Sequence, residues 1–517
     1  MALPSSSPYS LTGDPFIDAA TNGYTWQLDS TRTVRWALSN GFNGEYWISP
    51  SSAVTQLQGA FDTYAYYANI NFQYTGYFSN PSNSAPYADI VVSLDSVEIG
   101  NANIWAIGLF PDSSYNISVY QGAPGDIFLN ILSAANSLPS YAPGSAGFAL
   151  AVHEIGHTLG LKHPHDDGGT GRPTLTSIGM ADFDKDWFSI MSYNDDYNWN
   201  RLSWEPATPM LLDILGIQYL YGPNLQTNAG DNTYYLTTSN TYSTIWDAGG
   251  YDRIDVSWSS NAWTIQLPDW QPSPLLATKA GYAFLSSEIY LDSPYTAYWL
   301  TGDIEDASGS RYADSIYGNA LANKLKGNGG NDILNGGAGT DTAIFSNNRS
   351  DCTITKTATG YAVSSGSEGT DTLSNIERLS FADMGVALDI DGTAGKAYRL
   401  YQAAFDRTPD TSGLGYWIAQ MDNGLSLEAV AAGFIGSDEF RGLYGANSTT
   451  GEFITKLYNN ALHRVPEQYG YDWWVGAVNS GAMTRESALA GFSESQENQL
   501  QVAGAIADGI NYTPWVG

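Results

Sequence analysis

Cysteine is nearly absent from this chain of 517 residues, since Cys352 is the single one. One cysteine excludes any disulfide within the chain, a pattern that usually indicates a reducing compartment. A protein that is exported unfolded and then stabilised outside by metal ions needs no disulfides either, so both locations stay open. Positive charge is also scarce, because 21 Lys and Arg stand against 53 Asp and Glu, for a formal net charge of −32.

The excess of acidic residues argues against nucleic acid and anionic membranes as partners, because like charges repel. Acidic side chains also supply oxygen ligands for Ca²⁺, although a merely solubilising surface is the alternative explanation. No apolar run is long enough to span a bilayer. The N-terminal segment MALPSSSPYSLTGDPF lacks the basic start and apolar core of a Sec-type signal peptide. We therefore expect no membrane span, and, if the protein leaves the cell, an export signal elsewhere.

The pattern along the chain changes twice, and its length is too great for one ordinary domain. Residues 1–222 mix helical and strand patterns, residues 223–390 lose helical periodicity, and residues 391–517 become helical. These three ranges are the predicted domains. The expected fold class is therefore a multidomain α+β protein.

Local patterns place a few elements in the first domain. A helix-spaced apolar stripe predicts a helix over residues 52–69, and β-branched or aromatic runs predict strands at 88–94 and 103–110. Thr208 and Pro209 predict the N-cap and first position of a later helix.

Four of the five histidines lie within the segment AGFALAVHEIGHTLGLKHPHD. Ser145 predicts the N-cap of a helix, and Gly160 predicts its left-handed end. His153 and His157 are four residues apart, so both imidazoles leave one face of that helix. The chain reversal at Gly160 then brings His163 back as a third nitrogen ligand.

Three neutral imidazoles are typical ligands of a catalytic zinc ion and leave one position open for water. Zinc lowers the pKa of that water, and Glu154 is expected to take its proton as general base and pass it to the leaving amine. An accidental histidine pair on a helix is the alternative, but the complete H-E-x-x-H-x-x-G-x-x-H spacing disfavours it. His165 follows Pro164, and we expect it to lie in a solvated loop or to support a ligand, without binding the zinc itself.

HEIGHTLGLKHP, followed by SIMSYND (189–195), resembles the metzincin zinc proteases, and the fit is closest to the serralysin family of secreted bacterial proteases. The resemblance extends through WDAGG (246–250) and covers about residues 15–390. It implies that Met191 forms a tight turn beneath the zinc. It also implies that Tyr193 is a displaceable fifth zinc ligand that helps to bind the oxygen of the tetrahedral intermediate.

The resemblance also implies that the substrate lies extended along an edge strand beside the cleft, for which residues 103–111 are the candidate. Family members commonly read HPG after the third zinc ligand, whereas this chain reads HPHDD. The ligands are intact, and the difference falls in the loop that adjoins them.

Residues 309–344 contain four units of nine residues that begin with Gly and match the GGxGxDxUx pattern of RTX proteins. Loops two units apart should stack and hold Ca²⁺, so that unit 309 pairs with unit 327 and unit 318 pairs with unit 336. The apolar eighth residue of each unit should point inward. The expected calcium-binding residues are Asp314, Asn323, Gly327, Gly329, Asp332, Gly336 and Asp341, with the weakest site at the neutral Asn323.

Without calcium such loops carry too much charge to fold, which fits type I export with an uncleaved C-terminal signal. The stretch 347–383 resembles the strand-rich cap that follows RTX rolls. We therefore expect a secreted, extracellular protein.

Residues 391–517 contain a duplicated helical unit, since LYQAAFDRTPDTSGLGYW (400–417) aligns with LYNNALHRVPEQYGYDWW (457–474). Each copy is expected to complete the core of the other. The unit resembles a widespread bacterial domain of unassigned function. Trp417, Trp473 and Trp474 are either core residues, which we favour, or a platform for a glycan or another cell-surface ligand.

The predicted protein thus has a metzincin-type zinc protease domain, a calcium-binding parallel β-roll with a β-rich cap, and a small all-α duplicated domain. It is expected to hydrolyse proteins or peptides as a monomer, with one catalytic Zn²⁺ and several structural Ca²⁺. The alternatives are an adhesin that keeps a protease fold and a zinc hydrolase with a non-peptide substrate. The intact ligand set with Glu154 argues against the adhesin, and Tyr193 favours peptides by resemblance.

Overall fold

The structure, a computed structural model, describes residues 2–84, 86–96, 99, 104–114, 123–131, 142–194, 205–238, 241–269, 280–287 and 297–515. The chain divides into two compact units, Met1–Asp306 and Ala307–Gly517. Both helices and strands are present, as the fold class predicts. None of the helices in the described ranges is long and apolar enough to cross a membrane. The predicted borders at residues 222 and 390 stay a prediction.

The first unit begins with mixed helices and strands and continues with strands alone. In chain order its described elements are β1 (Leu3–Pro4), α1 (Pro15–Ala20), β2 (Trp26–Gln27), β3 (Thr33–Ser39), α2 (Pro50–Tyr67), β4 (Asn71–Phe78), β5 (Ile90–Asp95), β6 (Ala106–Gly108), β7 (Ile127–Asn130), α3 (Ala146–Thr158), β8 (Glu205–Pro206), α4 (Leu211–Tyr221), β9 (Thr233–Tyr235), β10 (Thr241–Asp247), β11 (Arg253–Asp255), β12 (Trp263–Gln266), β13 (Gly281–Leu285) and β14 (Ala297–Gly302).

Five of these strands form a sheet in the order β4-β3-β5-β7-β6. β3, β4, β5 and β7 run parallel, whereas β6 runs antiparallel to β7 and lies at the edge of the sheet. The strand expected over residues 103–110 is therefore present as β6, and Asn103 lies outside the described residues. The position of β6 gives the sheet an edge with peptide groups available for pairing.

Helix α2 confirms the helix predicted over residues 52–69. It buries Leu57, Phe61 and Tyr64 completely, as the apolar stripe requires. These side chains share a core with Val152 and Ile155 of α3. The core therefore fixes α3, the helix with the histidine pair, against α2.

Helix α4 begins later than the sequence predicts. Its N-cap is Met210, two residues beyond the expected Thr208. The Asp213 carboxylate accepts the Met210 backbone N–H at 2.8 Å, so a side chain inside the helix caps it. The Thr208 hydroxyl instead accepts the backbone N–H of Thr244 at 2.9 Å. The predicted end of the helix is confirmed at Gly222, which has a φ of 77°.

Strands dominate the first unit after α4, as the loss of helical periodicity predicts. β10 pairs in parallel with β14 and β8, and β13 pairs antiparallel with β12 and β14. β9 pairs in parallel with β11.

The second unit contains short strands followed by helices. Its elements are β15 (Asp306–Ser308), which begins at the last residue of the first unit, β16 (Ser315–Tyr317), β17 (Lys324–Lys326), β18 (Ile333–Asn335), β19 (Thr342–Ile344), β20 (Cys352–Lys356), β21 (Tyr361–Ser365), β22 (Gly369–Ser374), β23 (Arg378–Ser380), β24 (Gly385–Ala387), α5 (Thr393–Phe405), α6 (Thr411–Asp422), α7 (Leu427–Ile435), α8 (Asp438–Tyr444), α9 (Thr450–Leu462), α10 (Gln468–Asn479), α11 (Arg485–Ser493), α12 (Gln496–Ile506) and β25 (Ile510–Tyr512).

The strands of the nonapeptide units pair as the repeat predicts. β16 pairs in parallel with β18, and β17 pairs in parallel with β19, so units two apart lie side by side. The residue at the eighth place of each unit is fully buried, namely Ile316, Leu325, Leu334 and Ala343. Residues 347–383 continue the sheets, with β22 parallel to β18 and β23 parallel to β19.

The two helical copies correspond element by element. α5 and α9 both end at a residue in the left-handed conformation, Asp406 with a φ of 52° and His463 with a φ of 51°. One hydrophobic cluster contains residues of both copies, among them Phe434 and Phe492. The expectation that each copy completes the core of the other is therefore confirmed.

The last strand of the chain was not expected from the helical pattern. β25 pairs antiparallel with β24. The tail therefore adds a strand to the sheet that contains the nonapeptide strands β17 and β19. The pairing brings the Tyr512 ring against Gly385, where a Cβ would lie 2.6 Å from the ring. Glycine leaves room for this ring.

Candidate metal centre

Helix α3 carries His153 and His157, two of the three predicted zinc ligands. Ser145 caps it, with its hydroxyl accepting the backbone N–H of Phe148 at 3.3 Å. Gly160, at a φ of 100°, turns the chain after the helix, and a Cβ there would lie 2.2 Å from the carbonyl oxygen of Tyr24. The predicted cap and the predicted left-handed end are both confirmed, and the reversal leads directly to His163.

The Nε2 atoms of the three histidines converge on one point. The Nε2 of His163 lies 3.2 Å from that of His153 and 3.0 Å from that of His157. In a tetrahedral zinc site the ligand nitrogens lie about 3.3 Å apart. The spacing therefore fits one zinc ion between the three rings.

The Nδ1 atoms face away from that point, and each has an oxygen partner. His153 Nδ1 donates to the carbonyl of Ile190 at 2.8 Å, and His157 Nδ1 donates to the carbonyl of Leu161 at 2.9 Å. Because a carbonyl oxygen only accepts, these two nitrogens carry the ring proton and leave both Nε2 lone pairs free for a metal.

The third histidine has a carboxylate partner. His163 Nδ1 lies 2.6 Å from an oxygen of Asp166. A carboxylate behind a ligating imidazole fixes the ring and makes it a stronger ligand.

Burial keeps the first two imidazoles neutral. It lowers the pKa of His153 to about 3, with help from nearby His163, and it lowers the pKa of His157 well below its ordinary value. Both residues therefore remain unprotonated at neutral pH, the state in which an imidazole binds zinc.

Met191 lies against α3, the helix with the histidine pair. It is buried, and a Cβ at Gly156 would lie 2.7 Å from its sulfur atom. The preceding turn is held by Asp213 of α4, whose carboxylate accepts the Ile190 backbone N–H and the Ser189 hydroxyl, both at 2.7 Å. Asp213 thus helps to orient the Ile190 carbonyl, which accepts the hydrogen bond of His153 Nδ1–H.

Glu154 is buried beside the histidines. Burial raises the pKa of its carboxyl group to about 8, while a hydrogen bond from the Gly108 backbone N–H acts in the opposite direction. A cation held by the three imidazoles would also lower this pKa, because opposite charges stabilise the carboxylate. The group is therefore poised to exchange a proton near neutral pH.

A cavity of about 470 Å³ opens next to Glu154 and is bordered by the edge strand. Gly108 of β6 touches the helix, since a Cβ there would lie 2.4 Å from the Glu154 carbonyl oxygen. The lining residues are Ile104, Trp105, Ala106, Ala146, Ala149, Leu150, His153, Glu154, Asp186, Ile190, Ser192, Tyr193, Glu205 and Pro206.

Tyr193 lies at the mouth of this cavity against the histidine rings. Its ring centroid is 4.3 Å from that of His163 and 5.6 Å from that of His153. Burial, with the charge of Glu154, raises the pKa of the Tyr193 hydroxyl to about 12, so it stays protonated at neutral pH. The exposed His165 stacks on His163, which agrees with its predicted place in a loop beside a ligand.

The four sixth-place residues of the nonapeptide units, Asp314, Asn323, Asp332 and Asp341, are all buried. Asp332 accepts the backbone N–H of Asp314 at 2.8 Å, and Asp341 accepts that of Asn323 at 2.8 Å. This arrangement stacks polar side chains two units apart, as a calcium roll requires.

Two carboxylate oxygens of the roll are buried without a hydrogen-bond partner, Oδ2 of Asp332 and Oδ2 of Asp341. Burial raises the pKa of Asp332 to about 8 and that of Asp341 to about 7, and neighbouring carboxylates add to the effect. Unpaired buried oxygens of this kind fit a hard cation such as Ca²⁺.

The glycines that open the units leave space for those oxygens. A Cβ at Gly327 would lie 2.1 Å from Oδ2 of Asp332, and one at Gly336 would lie 2.4 Å from Oδ2 of Asp341. Gly329 differs, because a Cβ there would make only ordinary contact at 3.5 Å. The close approach of a glycine to the sixth-place carboxylate thus occurs at the first position of the unit, and it does not occur at the third.

Two further acidic residues belong to the roll and escaped the sequence analysis. Asp371 accepts the backbone N–H of Asp332 at 2.9 Å, and Glu377 accepts that of Asp341 at 2.9 Å. Their hydrogen bonds continue the series of carboxylate-to-backbone bonds from the nonapeptide units into the cap. The nine-residue spacing does not extend to these two residues. Glu377 directly precedes β23, so a search for acidic residues just before the cap strands would have found it, whereas Asp371 lies inside β22 and would have been missed.

Two known protein families match the second unit of the chain, one at the nonapeptide repeats and one at the helical copies. The family described as RTX calcium-binding nonapeptide repeat (4 copies) matches residues 308–343. The family described as domain of unknown function (DUF4214) matches residues 397–443 and 431–502, which together cover both helical copies.

Several curated proteases are similar to the chain. Serralysin G of Dickeya chrysanthemi is 31% identical over 249 residues, which cover 44% of this chain and 48% of the relative. Metalloprotease AprA of Pseudomonas entomophila (strain L48) is 34% identical over 203 residues, 35% of this chain and 39% of the relative. A serralysin of Photorhabdus laumondii is 29% identical over 347 residues, 60% of this chain and 66% of the relative. The chain thus spans less than two thirds of the length of each of these relatives.

The similarity to these proteases makes the chain a metalloprotease homologue, and the matched repeats add that it contains RTX nonapeptides. Over the matched ranges the chain is similar to serralysins, and it carries in addition a C-terminal helical domain of the DUF4214 type.

Proposed function

We propose that this protein is a secreted, zinc-dependent endopeptidase that hydrolyses peptide bonds of proteins. The observation that carries the proposal is the convergence of the Nε2 atoms of His153, His157 and His163 beside the buried Glu154, at a cavity bordered by an edge strand. The names of the similar proteins, serralysin and metalloprotease, support the same reaction.

His153, His157 and His163 would hold the zinc ion through their Nε2 atoms. When bound, zinc supplies Lewis-acid activation of water and of the scissile carbonyl. Glu154 takes the proton of the attacking water as general base and delivers it to the departing amine. The protonated hydroxyl of Tyr193 donates a hydrogen bond to the oxygen that becomes negatively charged in the transition state.

The shape of the cavity supports an extended peptide as the substrate. β6 is an edge strand, and its residue Ala106 lines the cavity next to Glu154. A substrate that pairs with its backbone is held through peptide groups, which every protein offers. This mode of binding favours broad specificity and argues against a non-peptide substrate.

The nonapeptide roll is proposed to bind several Ca²⁺ ions and to fold only when they are present. The buried, unpartnered oxygens of Asp332 and Asp341 support this role. Such a roll stays unfolded at low calcium and folds outside the cell, which fits type I export and a chain with one cysteine.

The C-terminal helical domain has no assigned ligand. Trp417 packs on Phe434 and Trp474 packs on Phe492, so both half-buried rings lie against the core. Trp473 is the exposed member of the predicted trio. A glycan or another cell-surface ligand for this domain therefore rests on Trp473.

The test is cleavage of a casein-type protein by the full chain in saturating Ca²⁺, with wild type beside Glu154→Gln. We expect the variant to keep its zinc, measured by metal analysis, and to lose about 10²–10⁴-fold in turnover, the usual contribution of a general base. Removal of zinc with a chelator should abolish wild-type turnover. The control is Asp182→Asn, which removes an exposed carboxylate away from the lining of the cavity.

Each other outcome contradicts part of the proposal. Full activity of Glu154→Gln would remove Glu154 as the base. A wild-type chain that binds zinc but cleaves no protein would instead favour the binding protein on a protease scaffold, or a hydrolase of another bond.

A further inference from the structure

One carboxylate holds the chain on both sides of Tyr193. The Ser192 hydroxyl donates a hydrogen bond to Oδ1 of Asp184 at 2.8 Å, and the Asn194 side-chain amide donates one to Oδ2 of Asp184 at 2.8 Å. The Asn194 backbone N–H also donates to the Ser192 hydroxyl oxygen, at 3.1 Å. Asp184 therefore fixes the residue directly before Tyr193 and the residue directly after it.

Asp184 itself is well anchored. It follows the short helical turn Ala181–Phe183, and its backbone N–H donates to the Ala181 carbonyl at 3.1 Å. Only 7% of its side chain is exposed. Trp187 and Phe188, a few residues further on, are buried in a hydrophobic cluster that includes residues of α4. Because this part of the chain belongs to the core, the carboxylate has a fixed position from which it can hold the segment with Tyr193.

The Tyr193 side chain, by contrast, lies largely in solvent. It is 63% exposed, and its ring lies against the imidazoles of His163 and His165, with centroids 4.3 and 5.0 Å apart. A hydrogen-bond donor that stabilises a transition state must stay close to one position, since a displacement of about 1 Å can cost a large part of the rate. The backbone on either side of Tyr193 therefore determines how well its hydroxyl is placed.

We propose that Asp184 is a positioning residue for Tyr193. The proposal rests on the function proposed above, in which the Tyr193 hydroxyl donates to the oxygen that becomes negatively charged in the transition state. Such a donor contributes most when it is already in place, because nothing then has to reorganise as the charge develops. Zinc binding should not depend on Asp184, because the oxygen partners of the three zinc ligands belong to other residues.

The test is a double-mutant cycle between Asp184→Ala and Tyr193→Phe, with kcat and KM measured on a quenched fluorescent peptide and the full chain in saturating Zn²⁺ and Ca²⁺. We expect Tyr193→Phe to lower kcat about 100-fold, as the loss of one such donor does, and Asp184→Ala to lower it about tenfold, each with KM changed by less than about twofold. The double variant should be about as slow as Tyr193→Phe, because Asp184 acts through the hydroxyl that is then missing. An independent structural role of Asp184 predicts a product of the two losses, about 10³-fold.

Asn194→Ala is a milder variant of the same experiment. Asn194 is exposed, so its replacement removes one of the two hydrogen bonds to Asp184 without a change in the core. It should lower kcat less than Asp184→Ala does, and this effect should also disappear in the Tyr193→Phe background. The matched control is Asp182→Ala, an exposed aspartate in the turn directly before Asp184, which should leave kcat unchanged.

A second arm of the experiment needs no catalytic activity. Hydrogen–deuterium exchange of the zinc-loaded chain reports how often the segment around Tyr193 opens. The exchange of residues 192–194 should be faster in Asp184→Ala and Asn194→Ala than in wild type, whereas the exchange of α3 should stay the same. Zinc affinity, measured by competition with a chelator, should be equal in all three proteins.

Three results would overturn the proposal: multiplied losses of kcat in the double variant, unchanged exchange of residues 192–194, or a loss of zinc affinity in Asp184→Ala as large as its loss of kcat. Full activity of Tyr193→Phe would contradict the role proposed for Tyr193, whereas multiplied losses with an impaired Tyr193→Phe contradict the role of Asp184 alone. A chain without proteolytic activity still gives the exchange result, so failure of the proposed reaction is distinguished from failure of this inference.

Discussion

Gly160 is the residue whose replacement tests the construction of the metal centre most directly. It ends α3 in the left-handed region, at a φ of 100°, and it lies three residues before His163. We predict that Gly160→Ala lowers both the stability of the protein and its affinity for zinc. Both effects follow from one cause, because the turn at Gly160 positions the third ligand.

Two terms contribute to the expected loss of stability. A side chain in the left-handed region costs about 1–2 kcal/mol. The new Cβ would also lie 2.2 Å from the Tyr24 carbonyl oxygen, so the backbone of one of the two must move, which costs a further 1–3 kcal/mol, roughly. The total of about 2–5 kcal/mol is a large part of the free energy of unfolding of a typical domain.

Gly169 provides a matched control for the first term alone. Its φ is 72°, and a Cβ there would meet nothing within 4 Å. Gly169→Ala should therefore cost about 1–2 kcal/mol and leave zinc affinity unchanged. Unfolding in urea followed by tryptophan fluorescence measures the stability, and competition with a chromogenic chelator measures the zinc affinity. Equal losses of stability in the two variants, or wild-type zinc affinity in Gly160→Ala, would refute the reasoning.

Three further predictions concern other parts of the molecule. Burial raises the pKa of Asp126 to about 7, so the stability that its neutral form provides is complete below its ordinary pKa of 3.8 and is lost as the pH rises to 7; Asp126→Asn should flatten the fall in melting temperature between about pH 4 and 7, and an unchanged slope there would contradict this. Removal of Ca²⁺ with a chelator should lower the melting temperature of wild type, and Asp332→Asn should reduce this shift, since it removes a buried carboxylate from the roll. A melting temperature that is the same with and without Ca²⁺ would contradict calcium binding by the roll. Arg399 donates two hydrogen bonds of 2.7 Å to Glu494, so Arg399→Met should cost about 2–3 kcal/mol in urea unfolding, less if Glu494→Met is already present, and additive losses would show that the pair does not interact.

The sequence predicted best the features that repeat over short distances. The spacing of His153, His157 and Gly160 depends on the geometry of one helix and one turn, which local residues determine. The pairing of the nonapeptide strands follows in the same way from a period of nine, because units two apart must then face each other. These parts needed no knowledge of distant contacts.

The residues that escaped prediction act across long stretches of chain. Asp213 caps α4 and also holds the turn before Met191, although more than twenty positions separate it from that turn. Asp371 and Glu377 join the roll from the cap, 39 and 36 positions beyond their partners. Nothing in the local pattern around such carboxylates distinguishes them from surface charges. Only the tertiary fold selects the partner.

The helical copies occupy an unusual place in the connectivity of the second unit. β24 and β25 are neighbouring antiparallel strands, and the whole helical segment, residues 388–509, connects them. It therefore stands where a β-hairpin would have its turn, with its two ends held about 5 Å apart by the pairing of the strands. The segment is thus an insertion between two paired strands, which a two-residue turn in place of residues 388–509 would still join.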